Sequence, residues 1–131
     1  MIELHTHKKI DAALCGEVEE ISPGRAKITM TTLPSMAVDD RGLVHGGFIF
    51  GLADHAAMIA VNHPHVVLAG ADVRFTAPVK AGEELTAEGQ VTSVTGKRKT
   101  VEVVVKRGGE TVFQGAFSCA VLDRHVLEKR T

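Results

Sequence analysis

Asp54 stands in the stretch Leu43–Val61, LVHGGFIFGLADHAAMIAV, and from Gly46 to Val61 it and His55 are the only polar side chains. Burying a carboxylate costs several kcal/mol unless it is paired, hydrogen-bonded or protonated. Catalysis is the leading explanation for an acid in such a run; the bland alternative is a carboxylate satisfied by His55, an Arg or backbone donors at a subunit interface. Gly46-Gly47 opens the run. At a helix start the first N–H groups lack an intrahelical acceptor and the macrodipole favours negative charge, while glycines let a ligand come close. Such a start can polarise a carbonyl and stabilise an oxyanion. Asp54 lies roughly 10–12 Å further along the same helix by the standard rise, too far for one carbonyl to bridge within a chain. A second subunit's helix running antiparallel would shorten that gap, so the spacing predicts a site at a dimer interface.

The elements that must position these residues follow from hydrophobic periodicity. Leu14–Ile21 and Arg25–Thr31 alternate around Ser22-Pro23-Gly24 and read as a β-hairpin, with Ala26, Ile28 and Met30 on one face. Leu33–Val44 is a loop broken by Pro34, Asp39, Asp40 and Gly42. Gly46 to about Asn62 reads as a helix, apolar nearly all round and therefore enclosed, and Pro64 ends it. Four strands are expected afterwards: Val66–Thr76, Glu84–Val94, Lys99–Arg107 and Thr111–Leu122. In the second of these Leu85, Ala87, Gly89, Val91 and Ser93 share a face. Gly108-Gly109 and Thr95-Gly96-Lys97 supply tight turns. The lead-in Met1–Asp11 reads as loose or briefly helical, and the tail Asp123–Thr131 as charged and exposed. One long helix with one multistranded sheet is most economically a sheet wrapped around that helix, an α+β fold whose open flank a second subunit covers.

Composition narrows the function classes. With 131 residues, 44% hydrophobic content and a net charge of −1, the chain reads as one domain, 1–131, with a real core and no basic excess for nucleic acid. Cys15 and Cys119 form no metal-ligand pair and read as reduced core thiols of a cytoplasmic protein. The first residues lack the apolar core of a signal peptide, and the apolar run is shorter than the ~20 residues of a membrane span. His5-Thr6-His7 and His63-Pro64-His65 lack metal-ligand spacing, so neither a metal nor a cofactor is expected.

Val44-His45-Gly46-Gly47, followed by Leu52-Ala53-Asp54 and by the block Phe75-Thr76-Ala77-Pro78-Val79-Lys80-Ala81-Gly82-Glu83, resembles the hotdog-fold acyl-CoA thioesterases, in particular the phenylacetic-acid-degradation (PaaI-like) subfamily. The resemblance covers roughly Leu14 to Leu122. It implies an antiparallel sheet around one central helix and a homodimer or, as a dimer of dimers, a tetramer acting on acyl-CoA. Asp54 would be general base or nucleophile toward the thioester, and the Gly46 N–H, helped by Gly47, would polarise a carbonyl at the opposing subunit. His45 would fix the loop by hydrogen bonding beside the substrate, and Lys80, Lys97, Arg98 and Lys99 would hold CoA phosphates. The chain departs from the pattern at Asp39, where relatives often carry Asn or Gln, and at Met58, where some place Thr. Asp39 would share the base role or raise the pKa of Asp54, its bland alternative being an Asx-turn; either departure, at Asp39 or at Met58, would alter the water-positioning step or the substrate preference. The rival readings are a non-catalytic acyl-CoA-binding module and a hydratase, whose usual Asp/His loop pairing is not found.

Overall fold

The computed structural model describes residues 2–128; the end of the expected exposed tail, 129–131, lies outside them. Six strands, β1 (Glu17–Ser22), β2 (Arg25–Thr31), β3 (Val66–Phe75), β4 (Glu84–Thr95), β5 (Arg98–Arg107) and β6 (Glu110–Val121), build one sheet in the order β1-β2-β4-β5-β6-β3. Every pairing is antiparallel. The short helix α1 (Ala12–Cys15) precedes β1, and the long helix α2 (Gly46–Val61) packs against strands from across the sheet. This is the hotdog arrangement expected from the sequence, with a 3-10 turn at Pro34–Met36 added to the loop before α2.

Small residues set how close α2 comes. Ala53, Ala56, Ala57 and Ala60 are buried along it, and a Cβ on Gly89 of β4 would stand 2.9 Å from the Ala56 carbonyl oxygen. The helix backbone therefore rests directly on β4. Ile28, Leu52, Ile59, Leu85, Val101 and Phe113, each fully buried, close the core around that contact. Each such side chain stabilises the fold by about 1.5–3 kcal/mol relative to exposure. The helix stops where Asn62 turns left-handed at φ 51° and gives its N–H to the Met58 carbonyl. The Asn62 side chain accepts from the His5 N–H and donates to the Glu3 carbonyl, tying the lead-in across the helix end.

Three expectations are corrected. Leu14 and Cys15 belong to α1 rather than to the first strand, because the Asp11 carboxylate caps that turn through the Ala13 N–H. Cys15 is consequently half-buried, and only Cys119 is a core thiol. Ser93 is exposed instead of sharing the inner face with Leu85 and Ala87, since a bulge between Val91 and Ser93 shifts the alternation.

The two edges of the sheet differ. Edge strand β1 exposes Glu17, Glu19 and Glu20, charges that discourage pairing with another strand. Edge strand β3 is ten residues long and exposes the small residues Ala69 and Ala71 beside Asp72 and Arg74. Among the described residues no helix is long and apolar enough to cross a membrane.

Candidate active site

The backbone sets the start of α2 in place before any side chain acts. The His45 N–H bonds the Met36 carbonyl at 2.9 Å, and the Val44 N–H bonds the Val79 carbonyl at 2.8 Å. The chain thus enters the helix between the 3-10 turn and the segment after β3. His45 is the N-cap and puts no side-chain acceptor on the first turn; its carbonyl takes the Phe48 N–H at 3.1 Å, and the Gly46 and Gly47 N–H groups at the helix start have no intrahelical acceptor. The His45 ring is exposed, packs edge-on to Phe48, and lies where a Cβ on Gly47 would meet it at 3.0 Å. His45 ties the turn through its backbone N–H to the Met36 carbonyl, and its ring packs against Phe48.

A cavity of about 370 Å³ opens at this helix start, lined by Leu43, Gly46, Ile49, Phe75, Pro78 and Val79 among others. Its lining carries no charged side chain. Phe75, half-exposed at 52%, leans over the entry, and a Cβ on Gly46 would stand 3.2 Å from its ring. The missing side chain of Gly46 thus leaves room for the Phe75 ring at the helix start. A second groove continues past Leu43, Pro78 and Val79 and adds Asp39, Arg41, Lys80, Glu83 and Arg107.

Asp54 lies in the middle of α2. It is half-buried, yet its Oδ1 is sealed from solvent and has no hydrogen-bond partner among the described residues. Burial pushes its carboxyl up to about 6. The bland pairing with His55 does not form: the buried His55 gives its Nδ1 proton to the Cys15 carbonyl at 3.0 Å, and its Nε2 has no hydrogen-bond partner among the described residues. The Asp54 charge reaches both thiols. Cys119 is pushed up to about 11, first by burial and then by Asp54, and Cys15 is raised by burial, Asp11 and Asp54.

Within one protomer the catalytic candidates stay apart. Asp54 lines neither groove, and eight residues of helix separate it from Gly46 by about 12 Å. Asp39 is exposed at the rim of the second groove, and its Oδ1 accepts from the Arg41 and Leu43 N–H groups at 3.0 and 3.1 Å, the Asx-turn arrangement. Lys80 flanks the same groove. Lys97, Arg98 and Lys99 do not: Lys97 bonds Asp123 at 2.6 Å and Arg98 the Ser118 hydroxyl at 3.3 Å. Arg98 pairs with Ala120, whereas Phe75 at the cavity pairs with Phe113; seven residues of strand make that separation about 23 Å. Met58, expected against substrate, is 1% exposed within the core. Phe75 was quoted from the sequence without a site role, and Arg41 and Arg107 had no signal beyond being cations.

A family model described as the thioesterase superfamily matches residues 41–114, which include the helix start, Asp54 and the cavity wall. Among solved structures, an uncharacterized protein, PH1136, from Pyrococcus horikoshii is 50% identical, with a TM-score of 0.96 over 97% of this chain and 98% of that one. The PaaI protein of the Escherichia coli phenylacetic acid degradation operon is 26% identical, with a TM-score of 0.79 over 89% of this chain and 88% of that one. Among curated proteins, a methylthioribose-1-phosphate isomerase of Aquifex aeolicus is 47% identical over 116 residues, 88% of this chain but 25% of that protein. The transcription factor FapR of Caldanaerobacter subterraneus is 26% identical over 123 residues, 93% of this chain and 62% of that protein. The chain therefore spans between a quarter and about six-tenths of the length of these two curated relatives.

Proposed function

Because the chain belongs to the thioesterase superfamily, we propose that it hydrolyses the thioester of a small or medium acyl-CoA to the free acid and CoA. The observation that carries this reading is Asp54, whose buried Oδ1 has no hydrogen-bond partner among the described residues. A fold gains nothing from an unsatisfied, desolvated carboxylate, whereas a base or nucleophile needs one.

The separation of Asp54 from Gly46 makes the site a shared one. In a homodimer that pairs the free β3 edges, the α2 helices of two copies run antiparallel, so the Gly46-Gly47 start of one faces Asp54 of the other. The acyl group enters the uncharged cavity under Phe75, and its carbonyl oxygen meets the Gly46 N–H, with Gly47 beside it. CoA follows the neighbouring groove, where Lys80 and Arg41 answer its phosphates and His45 stands at the rim. Lys97, Arg98 and Lys99 reach such a ligand only from the partner. As general base, Asp54 takes a proton from water while the water oxygen bonds the carbonyl carbon. The negative charge that develops on the carbonyl oxygen is stabilised at the helix start. Collapse breaks the C–S bond, and the CoA thiolate takes up the proton. As nucleophile, the Asp54 carboxylate bonds the carbonyl carbon, the C–S bond breaks and the CoA thiolate leaves; water then opens the resulting anhydride, giving the free acid and the Asp54 carboxylate, and its proton goes to the thiolate. Label in the Asp54 carboxylate after a single turnover in 18O-water would establish the anhydride route, because general-base attack puts the label only in the released acid.

Thiol release from a panel of aryl, short and long acyl-CoA esters tests the reading. Asp54→Asn is expected to abolish turnover and leave folding and oligomeric state intact; unchanged turnover would sink the assignment. Asp39→Asn is expected to change turnover little, as its carboxylate is held by its own loop. The second reading, an acyl-CoA-binding module without hydrolysis, is favoured by the likeness to a transcription factor. Saturable binding of acyl-CoA with no thiol release across the panel would establish it instead.

A further inference from the structure

The geometry points to Arg107 and Glu83 as a positioning pair that holds the cavity wall against the start of α2, an inference that rests on the thioester-hydrolase reading of that site. Arg107 closes β5, and Glu83 stands in the turn that leads into β4. The Arg107 Nη1 donates to the Pro78 carbonyl at 2.7 Å and to the Glu83 Oε1 at 3.0 Å, while its Nη2 donates to the Glu110 carboxylate. The same Glu83 oxygen accepts the Lys80 N–H at 2.6 Å. One guanidinium and one carboxylate thereby grip the turn from Pro78 to Glu83 at both ends.

What the pair grips is bonded onward to the helix start. Val79, next to the held Pro78 carbonyl, receives the Val44 N–H, and Val44 lies two residues before Gly46. The Ala81 N–H bonds the Gly42 carbonyl at 2.8 Å, and the Gly82 N–H bonds the Thr32 carbonyl at 2.9 Å. Pro78 and Val79 are wall residues of the cavity; Arg107 and Glu83 line only the neighbouring groove. Neither therefore touches the place where the carbonyl would sit, and their effect runs through the wall. Their side chains are partly buried, 25% and 34% exposed, so solvent screening still limits what the ion pair adds to stability. Arg suits this place, because its planar fork presents donors to a carbonyl and two carboxylates in a fixed geometry that a flexible ammonium does not hold.

Kinetics on the full chain, with a thioester from the panel, test the pair. Arg107→Gln and Glu83→Ala are each expected to lower kcat about tenfold while KM moves less than about threefold, the split of an interaction that aligns the reacting group. Glu83→Gln should keep turnover within about threefold of wild type, because its amide oxygen still accepts from Lys80 and Arg107. Arg107→Lys should recover only part of the loss. The double variant Glu83→Ala, Arg107→Gln should be no slower than the slower single variant, as for residues acting as one unit. In 15N spectra the Val44 and Gly46 amides should shift in Arg107→Gln and stay put in Lys27→Ala, which removes only a surface pair with Glu19. An unchanged kcat in Arg107→Gln, a multiplicative loss in the double variant, or lost turnover with unmoved Val44 and Gly46 amides would overturn the proposal. Wild-type protein inactive on every thioester, with those amides still shifting, would defeat the hydrolase reading and leave the positioning intact.

Discussion

Ionising Asp54 in place works against the fold, and the sign of that effect can be measured. Burial raises its carboxyl to about 6, above the ~3.9 of a free Asp side chain. Between those values the folded chain binds more protons than the unfolded one, so this group's contribution to stability falls as pH rises through the window. At pH 7.5 the full penalty is present, about 1–3 kcal/mol for a half-buried group. Asp54→Asn removes it. Urea unfolding should show the variant more stable than wild type at pH 7.5, with the difference gone near pH 4. Wild-type kcat/KM should fall as pH drops through about 6, because base and nucleophile both need the carboxylate. A variant less stable than wild type at pH 7.5 would mean that Asp54 has a structural partner.

At the scale of elements, two glycines set two clearances of α2. Gly89 lets the helix backbone lie on β4, and a Cβ there would meet the Ala56 carbonyl oxygen, which cannot swing aside. Gly89→Ala should cost about 1–3 kcal/mol, typical of overpacking a core, and the melting temperature should drop accordingly. Gly46 faces only the Phe75 ring, half-exposed and able to yield. Gly46→Ala should therefore leave the melting temperature within a few degrees of wild type. Its methyl covers the approach to the first amide, so kcat/KM should fall about tenfold or more. The two substitutions thus separate stability from turnover on one helix.

For the whole molecule, the decisive feature is the contrast between the edges of the sheet. Three glutamates guard β1, while β3 offers ten residues of open edge with small side chains. Light scattering should find a dimer or a multiple of it. Ala69→Lys with Ala71→Lys places charge on that edge and should shift the protein toward monomer. Turnover should be lost in proportion, with Asp54 and Gly46 untouched, because the proposed site draws on two chains. A fully active monomer would refute the shared site.

The sequence by itself determined the elements and their order, because periodicity, turn residues and the Gly-Gly helix start are local signals that the core only reinforces. It also marked Asp54, since one acid in an apolar run is visible without coordinates. It misread Leu14 and Ser93, where a cap and a bulge outweigh alternation and spacing. Only the tertiary structure decided which distant residues meet. It set Phe75 over Gly46, turned His55 toward Cys15 and away from Asp54, and put Lys80 at the cavity end while Lys97–Lys99 went to the other end. It also joined Arg107 to Pro78 and Glu83, 29 and 24 residues away in the chain. Such encounters depend on strand register and sheet curvature, which arise from the whole chain packing at once and leave no trace in any short stretch of it.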